Sequence, residues 1–155
     1  MAKQELSLQT HIRKSVEADG GYARKLSHKF SVGIPDLFVA LPPFAPGIIE
    51  VKDLSDVADK FDKLINITPM QTHHLLEAQK GYWGHYGVRV SGILVRIIHR
   101  AEHRLVALPP GTERLSYQYQ DDPACWTKRE KGGYYAIKGL LTAIRFGRID
   151  DVRDR

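Results

Sequence analysis

One cysteine, Cys125, is all the thiol that this chain of 155 residues carries. A single thiol excludes an internal disulfide framework and any zinc site built on several cysteines, and it fits a reducing compartment. Long apolar runs are missing too. The most apolar uncharged stretch, Leu37 to Ile49, is short and interrupted by Pro42, Pro43 and Pro46, so no membrane span is expected. Met1-Ala2-Lys3-Gln4 leads straight into polar sequence, without the apolar centre of a signal peptide. A cytoplasmic protein is the expectation. Acid is the scarcer charge: 18 Asp and Glu against 23 Lys and Arg leave a net charge of +5 and a pI ≈ 9.3. That balance favours a polyanionic partner such as DNA or RNA, although a basic protein with no such partner has the same composition. Repeats and low-complexity segments are absent as well. What remains is the composition of an ordinary globular domain, long enough to bury one sizeable core.

The chain is organised around Gly33 to Lys52. Two apolar runs, Leu37-Phe-Val-Ala-Leu41 and Ile48-Ile-Glu-Val-Lys52, flank a Pro/Gly corner and read as a hairpin of two buried strands. Both runs carry charge where a plain core strand would not. Asp36 opens the first, and Glu50 and Lys52 sit in the second. Side chains alternate along a strand, so Glu50 and Lys52 share a face, and strand pairing would bring Asp36 beside them. Burying three ionisable groups among Ile, Val and Phe is costly unless they are paired or bind a metal. Two carboxylates and an ammonium converging there suit a hard divalent cation, a water and a phosphate.

Pro35-Asp36, thirteen intervening residues and Glu50-Val51-Lys52 resemble the signature of the PD-(D/E)XK nucleases. With Gly33-Ile34-Pro35-Asp36, Ile49-Glu50-Val51-Lys52 and Thr68-Pro69-Met70-Gln71, the chain is similar to the virus-type replication-repair nuclease branch, which is itself similar to phage and archaeal Holliday-junction resolvases. The resemblance covers residues 5 to 98. It implies an α/β restriction-endonuclease-like sandwich, a mixed central sheet flanked by helices, with an extra C-terminal segment. It also implies a Mg²⁺-dependent DNA endonuclease, Mn²⁺ substituting, held by Glu5, Asp36, Glu50 and the Val51 carbonyl. Lys52 would orient or help deprotonate the attacking water. The implied partners are branched DNA and a second copy of the chain, in a bacterial or phage-infected cell. A flap, repair or restriction-type nuclease of the same fold is the nearest alternative; a non-catalytic nucleic-acid-binding module is the other.

Elsewhere the chain is read from spacing. Leu8, Ile12 and Val16 predict a helix over 4–19, ended by Gly20-Gly21. Glu5 and Gln9 lie along its inward stripe. Glu5 is either a metal ligand, as the resemblance implies, or an acid favoured by the helix dipole. Arg24, Lys25, His28 and Lys29 precede the hairpin and suit phosphate contacts, or simply a solvated loop. Leu54, Val57, Phe61, Leu64 and Ile65 recur at helical spacing and predict an amphipathic helix or lid over 53–66. Thr68-Pro69-Met70-Gln71 starts a helix expected to reach about Gly87, with Thr68 as N-cap and Gln71 closing a capping box. Gln71 thus has two accounts, the cap and, by resemblance, the catalytic pocket. His73 and His74, adjacent on that helix, diverge by about 100° and make a poor zinc pair. A strand over 88–98, a turn over 99–103 and a returning edge strand over 104–108 complete a core of residues 1–110. Residues 111–155 form a C-terminal extension packed on that core. Its aromatics interleaved with cations suit stacking and backbone contact with DNA, a dimer contact, or plain packing. Ile137, Leu140, Leu141 and Ile144 predict a helix within it.

Overall fold

The computed structural model describes residues 3–26, 33–56, 62–84, 87–88, 90–116, 119–120, 122–130 and 132–143. The first helix, α1 (Lys3–Ala18), forms where the four-residue spacing places it. Leu8, Ile12 and Val16 are fully buried along one stripe, joined by Gln9. Gly20, at φ +87°, ends it as a left-handed cap, and the Gly21 N–H closes back on the Val16 carbonyl at 2.9 Å.

Strand β1 (Tyr22–Lys25) lies antiparallel to β2 (Leu37–Ala40), and β2 lies antiparallel to β3 (Gly47–Asp53), the predicted hairpin. The chain then forms a short strand, β4 (Asp62–Leu64), and helix α2 (Pro69–Gln79), before β5 (Val90–His99). β5 runs parallel to β3, which requires the crossover that α2 supplies. β6 (Glu102–Leu108) returns antiparallel on β5 through a turn at Arg100 and Ala101, both in the left-handed region. β7 (Arg114–Ser116) pairs with β4 in a small second sheet, β8 (Trp126–Lys128) adds to β6, and α3 (Ile137–Ala143) follows. The main sheet therefore runs β1-β2-β3-β5-β6-β8, mostly antiparallel with one parallel pair.

Helices cover both faces. Leu8, Ile12 and Val16 of α1 and Leu140 and Leu141 of α3 pack on Ile49, Val51, Leu94 and Leu105. On the other face Leu75 and Ala78 of α2, with Leu115 of β7, pack on Ile48, Ile93, Val95 and Val106. The protein is mixed α/β. Burial on both sides explains why β3 and β5 read as near-continuous apolar runs rather than alternating ones.

Three expectations are corrected. Over 53–66, the structure has strand β4 where a helix is predicted, while 57–61 lie outside the described residues. Pairing with β7 reverses the helical polarity: Lys63 is 2% exposed and Leu64 63%. The second helix stops at Gln79, not near Gly87, because Gly81 at φ +92° turns the chain out of it. β6 is not an edge strand, since Arg104, Leu105 and Val106 pair with Lys128, Thr127 and Trp126.

Gly33 links the hairpin to α2. Its φ is +78°, and a Cβ there would lie 2.6 Å from the Met70 Cβ and 2.9 Å from the Gln71 nitrogen. Gly33→Ala is therefore expected to destabilise by about 2 kcal/mol, from the left-handed backbone and the clash with the first turn of α2. A lower urea midpoint with an unchanged slope checks it; an unchanged midpoint would show that the two segments part freely.

Candidate active site

The hairpin delivers two carboxylates to one place. Asp36 precedes β2, and its Oδ2 accepts the Val51 N–H at 2.9 Å, a bond that ties the start of one strand to the middle of the next. Strand alternation puts Glu50 and Lys52 on the α2 side, while Val51 points into the core under α1. Lys52 Nζ lies 3.9 Å from Glu50 Oε1.

The start of α2 closes the group. Thr68 Oγ1 accepts the Gln71 N–H at 3.1 Å, and Gln71 Oε1 accepts the Thr68 N–H at 2.9 Å, so the capping box forms. The same Oε1 accepts from Lys52 Nζ at 3.2 Å, and Gln71 Nε2 donates to Glu50 Oε1 at 3.2 Å. The two accounts of Gln71 are thus both met by one side chain. An amide oxygen has two lone pairs, and the amide nitrogen remains free to donate. The cap orients Gln71, and Gln71 orients the two ionisable groups of β3.

Burial sets the electrostatics. Asp36 is 3% and Glu50 2% exposed, and the two carboxyls lie within hydrogen-bonding reach of one another. Among the described residues, no donor reaches Glu50 Oε2. Desolvation first, and the Asp36 charge second, push the Glu50 carboxyl up to about 10, against the pull of Lys52. Without a cation, Glu50 is held neutral at ordinary pH. Glu5, half-buried on α1, lies against the Asp53 backbone N–H and within electrostatic reach of Lys52 and Asp36. Burial raises its carboxyl above the usual range, opposed by Lys52.

Asp36, Glu50, Val51, Lys52 and Gln71 are therefore gathered, with Glu5 at their margin. Among the described residues no three His, Cys, Asp or Glu side chains are drawn together as a ready-made metal cage. Arg24 and Lys25 sit exposed on β1, an edge strand, and the Leu26 N–H next to them donates to the Asp36 carbonyl at 3.0 Å. Cations on an edge strand also discourage unwanted strand pairing. His28 and Lys29 lie outside the described residues. His73 pairs with Glu77 at 3.0 Å and meets His74 edge-on, so the two imidazoles share no ligand geometry.

The sequence reading missed an ion pair next to this group. Arg96 of β5 is paired with Asp53, its register partner on β3. The signal was present: a cation inside the apolar run Ile93 to Ile98 demands a partner. No protein-family model and no curated protein matches the chain.

Proposed function

We propose that this protein is a metal-dependent endodeoxyribonuclease of restriction-endonuclease-like fold, acting on branched DNA as a homodimeric Holliday-junction resolvase. One observation carries the reading. Two buried carboxyls press together, one with an oxygen that finds no donor, beside an ammonium held by an amide. Nothing in a packed core benefits from that arrangement, whereas a divalent cation would satisfy it. The residues present fit Mg²⁺, which takes carboxylate and carbonyl oxygens and keeps several waters, so it does not need a full protein cage.

Asp36, Glu50 and the Val51 carbonyl would hold the cation, with Glu5 completing the set. Once bound, it would supply an activated water and a polarised phosphoryl oxygen. The chain's own groups do the rest. Lys52 has three donors, of which Gln71 Oε1 takes one, leaving others for the phosphate and the attacking water. Gln71 fixes the direction of that ammonium and of Glu50 Oε1. The net charge of +5 attracts the polyanion, and Arg24 and Lys25 offer phosphate contacts beside Asp36.

The test is a panel of four-way junction, flap and linear duplex, each incubated with purified protein in Mg²⁺ or EDTA. Junction cleavage in Mg²⁺ alone is expected, at least about tenfold faster than duplex cleavage, with a dimeric mass in solution. Faster flap cutting would assign a flap nuclease instead. No cutting of any substrate by folded protein would leave a binding module.

A further inference from the structure

A second polar cluster lies on the α1 side of the sheet, behind the carboxylates. Its centre is the buried pair of Arg96 and Asp53. Around that pair, four polar atoms are buried with no hydrogen-bond partner among the described residues. They are His11 Nδ1 on α1, Arg96 Nε on β5, His103 Nδ1 on β6, and the Tyr135 hydroxyl ahead of α3. The hydroxyl comes up against the Arg96 guanidinium.

The backbone builds this convergence. The Arg129 N–H donates to the His103 carbonyl at 3.1 Å, which brings Arg129 alongside β6. The Tyr135 N–H donates to Ser15 Oγ at 2.9 Å, and that hydroxyl donates to the His11 carbonyl at 2.8 Å. Between them the chain turns through Gly133, at φ +86°, where a Cβ would lie 3.9 Å from the His11 ring. Burial and then the charges of Arg96 and Arg129 hold the His11 imidazole below its ordinary range, with Lys14 adding to them. On His103, burial and then Arg129 and Arg96 act the same way, opposed by Asp53.

Unpartnered buried polar atoms are rare, and several gathered around guanidinium groups are rarer, because each costs desolvation that nothing returns. A compact oxyanion is what they would accept together: guanidinium, imidazole and phenol all suit phosphate oxygens. The cluster is graded in depth. Arg96 and Tyr135 are buried, His11 and His103 are half-buried, and Arg129 is exposed, so Arg129 is the rim of the cluster. It also abuts the carboxylate site, because Asp53 follows Lys52 directly and its N–H faces Glu5.

We propose that Arg96, Arg129, His11, His103 and Tyr135 form a second subsite that binds a phosphate group of the nucleic-acid substrate other than the one cut. The attribution to substrate rests on the nuclease reading; the phosphate site does not. That group is either an internal phosphodiester or a terminal monoester.

The experiment uses the full chain carrying Glu50→Gln, in EDTA and at constant ionic strength, so that no cation can contribute. Inorganic phosphate is titrated while the ring resonances of His11 and His103 are followed by NMR. Both are expected to shift along one saturable curve, and Arg129→Ala is expected to weaken binding at least about tenfold. Arg129 is exposed, so this variant keeps the fold. No saturable shift at either ring, or an unchanged affinity in Arg129→Ala, overturns the site. Oligonucleotides bearing a 5′-phosphate, a 3′-phosphate or neither then compete with phosphate. Preference for one phosphorylated end assigns a terminal monoester, and equal competition assigns an internal phosphodiester. Failure of every oligonucleotide to compete overturns the link to substrate. The readout needs no cleavage. A protein that binds phosphate but cuts nothing would sink only the nuclease reading, and one that cuts without these shifts would sink only the subsite.

Discussion

Cleavage of a four-way junction in Mg²⁺ is expected to fall at least about a hundredfold in each of Asp36→Asn, Glu50→Ala and Lys52→Ala. Each substitution removes an ionisable group, and none breaks a strand pairing or the cap of α2. In Asp36→Asn, the amide oxygen can still accept the Val51 N–H that Oδ2 accepts now. In Glu50→Ala, a buried carboxyl with an unpartnered oxygen is removed, so the fold is relieved of a burden. In Lys52→Ala, Gln71 Oε1 keeps the Thr68 N–H, and the cap of α2 survives. Thermal melts should therefore show folded proteins, and DNA binding in EDTA should persist in all three. Single-turnover rates with protein in excess measure the effect. A variant that cuts at the parental rate removes its residue from the proposed chemistry; if all three do, the phosphodiesterase reading is finished.

The second large effect is on stability, and it needs no DNA. Glu50 is held at about 10 in the folded protein against an ordinary value of 4.5. Between those values the folded state keeps a proton that the unfolded chain has released. The stabilisation is complete below pH 4.5 and is lost as pH rises through about 10. Cation-free protein should lose up to about 1.4 kcal/mol per pH unit across that window. Glu50→Gln retains the shape without the titration. Its amide nitrogen can donate to the Asp36 carboxylate, and its oxygen can accept from Gln71 Nε2, as Glu50 Oε1 does. At pH 8 in EDTA, Glu50→Gln is expected to be the more stable protein by about 2 kcal/mol or more, with a flatter pH profile. Mg²⁺ should invert the order, raising the melting temperature of the parent with proton release while leaving Glu50→Gln unmoved. Equal stability of the two proteins in EDTA at every pH would mean that Glu50 is not held neutral. An equal Mg²⁺ response would place the cation elsewhere.

The elements around this site differ in how openly they announce themselves. The hairpin is legible because β-branched residues and a Pro/Gly corner are local features. The first turn of α2 is legible for the same reason, since Thr68 and Gln71 satisfy each other three residues apart. The segment 53–66 is not. Leu54, Leu64 and Ile65 fit a helical stripe, yet β4 takes its structure from β7, about fifty residues further on, and that pairing exposes Leu64 and buries Lys63. The cover on β6 likewise comes from β8, which joins it at Val106 and Leu105 from beyond the small sheet.

The same division runs through the site. Spacing along one strand suffices to set Glu50 and Lys52 on a common face, because alternation is a property of the backbone. It cannot say that Asp36 ends up against Glu50, that Glu50 is sealed from water, or that Arg96 meets Asp53 across 43 residues. Those facts depend on which strands neighbour one another and on what covers each face. Acidity follows them: a carboxyl's affinity for its proton is set by the solvent it loses and the charges it faces, and both belong to the assembled fold.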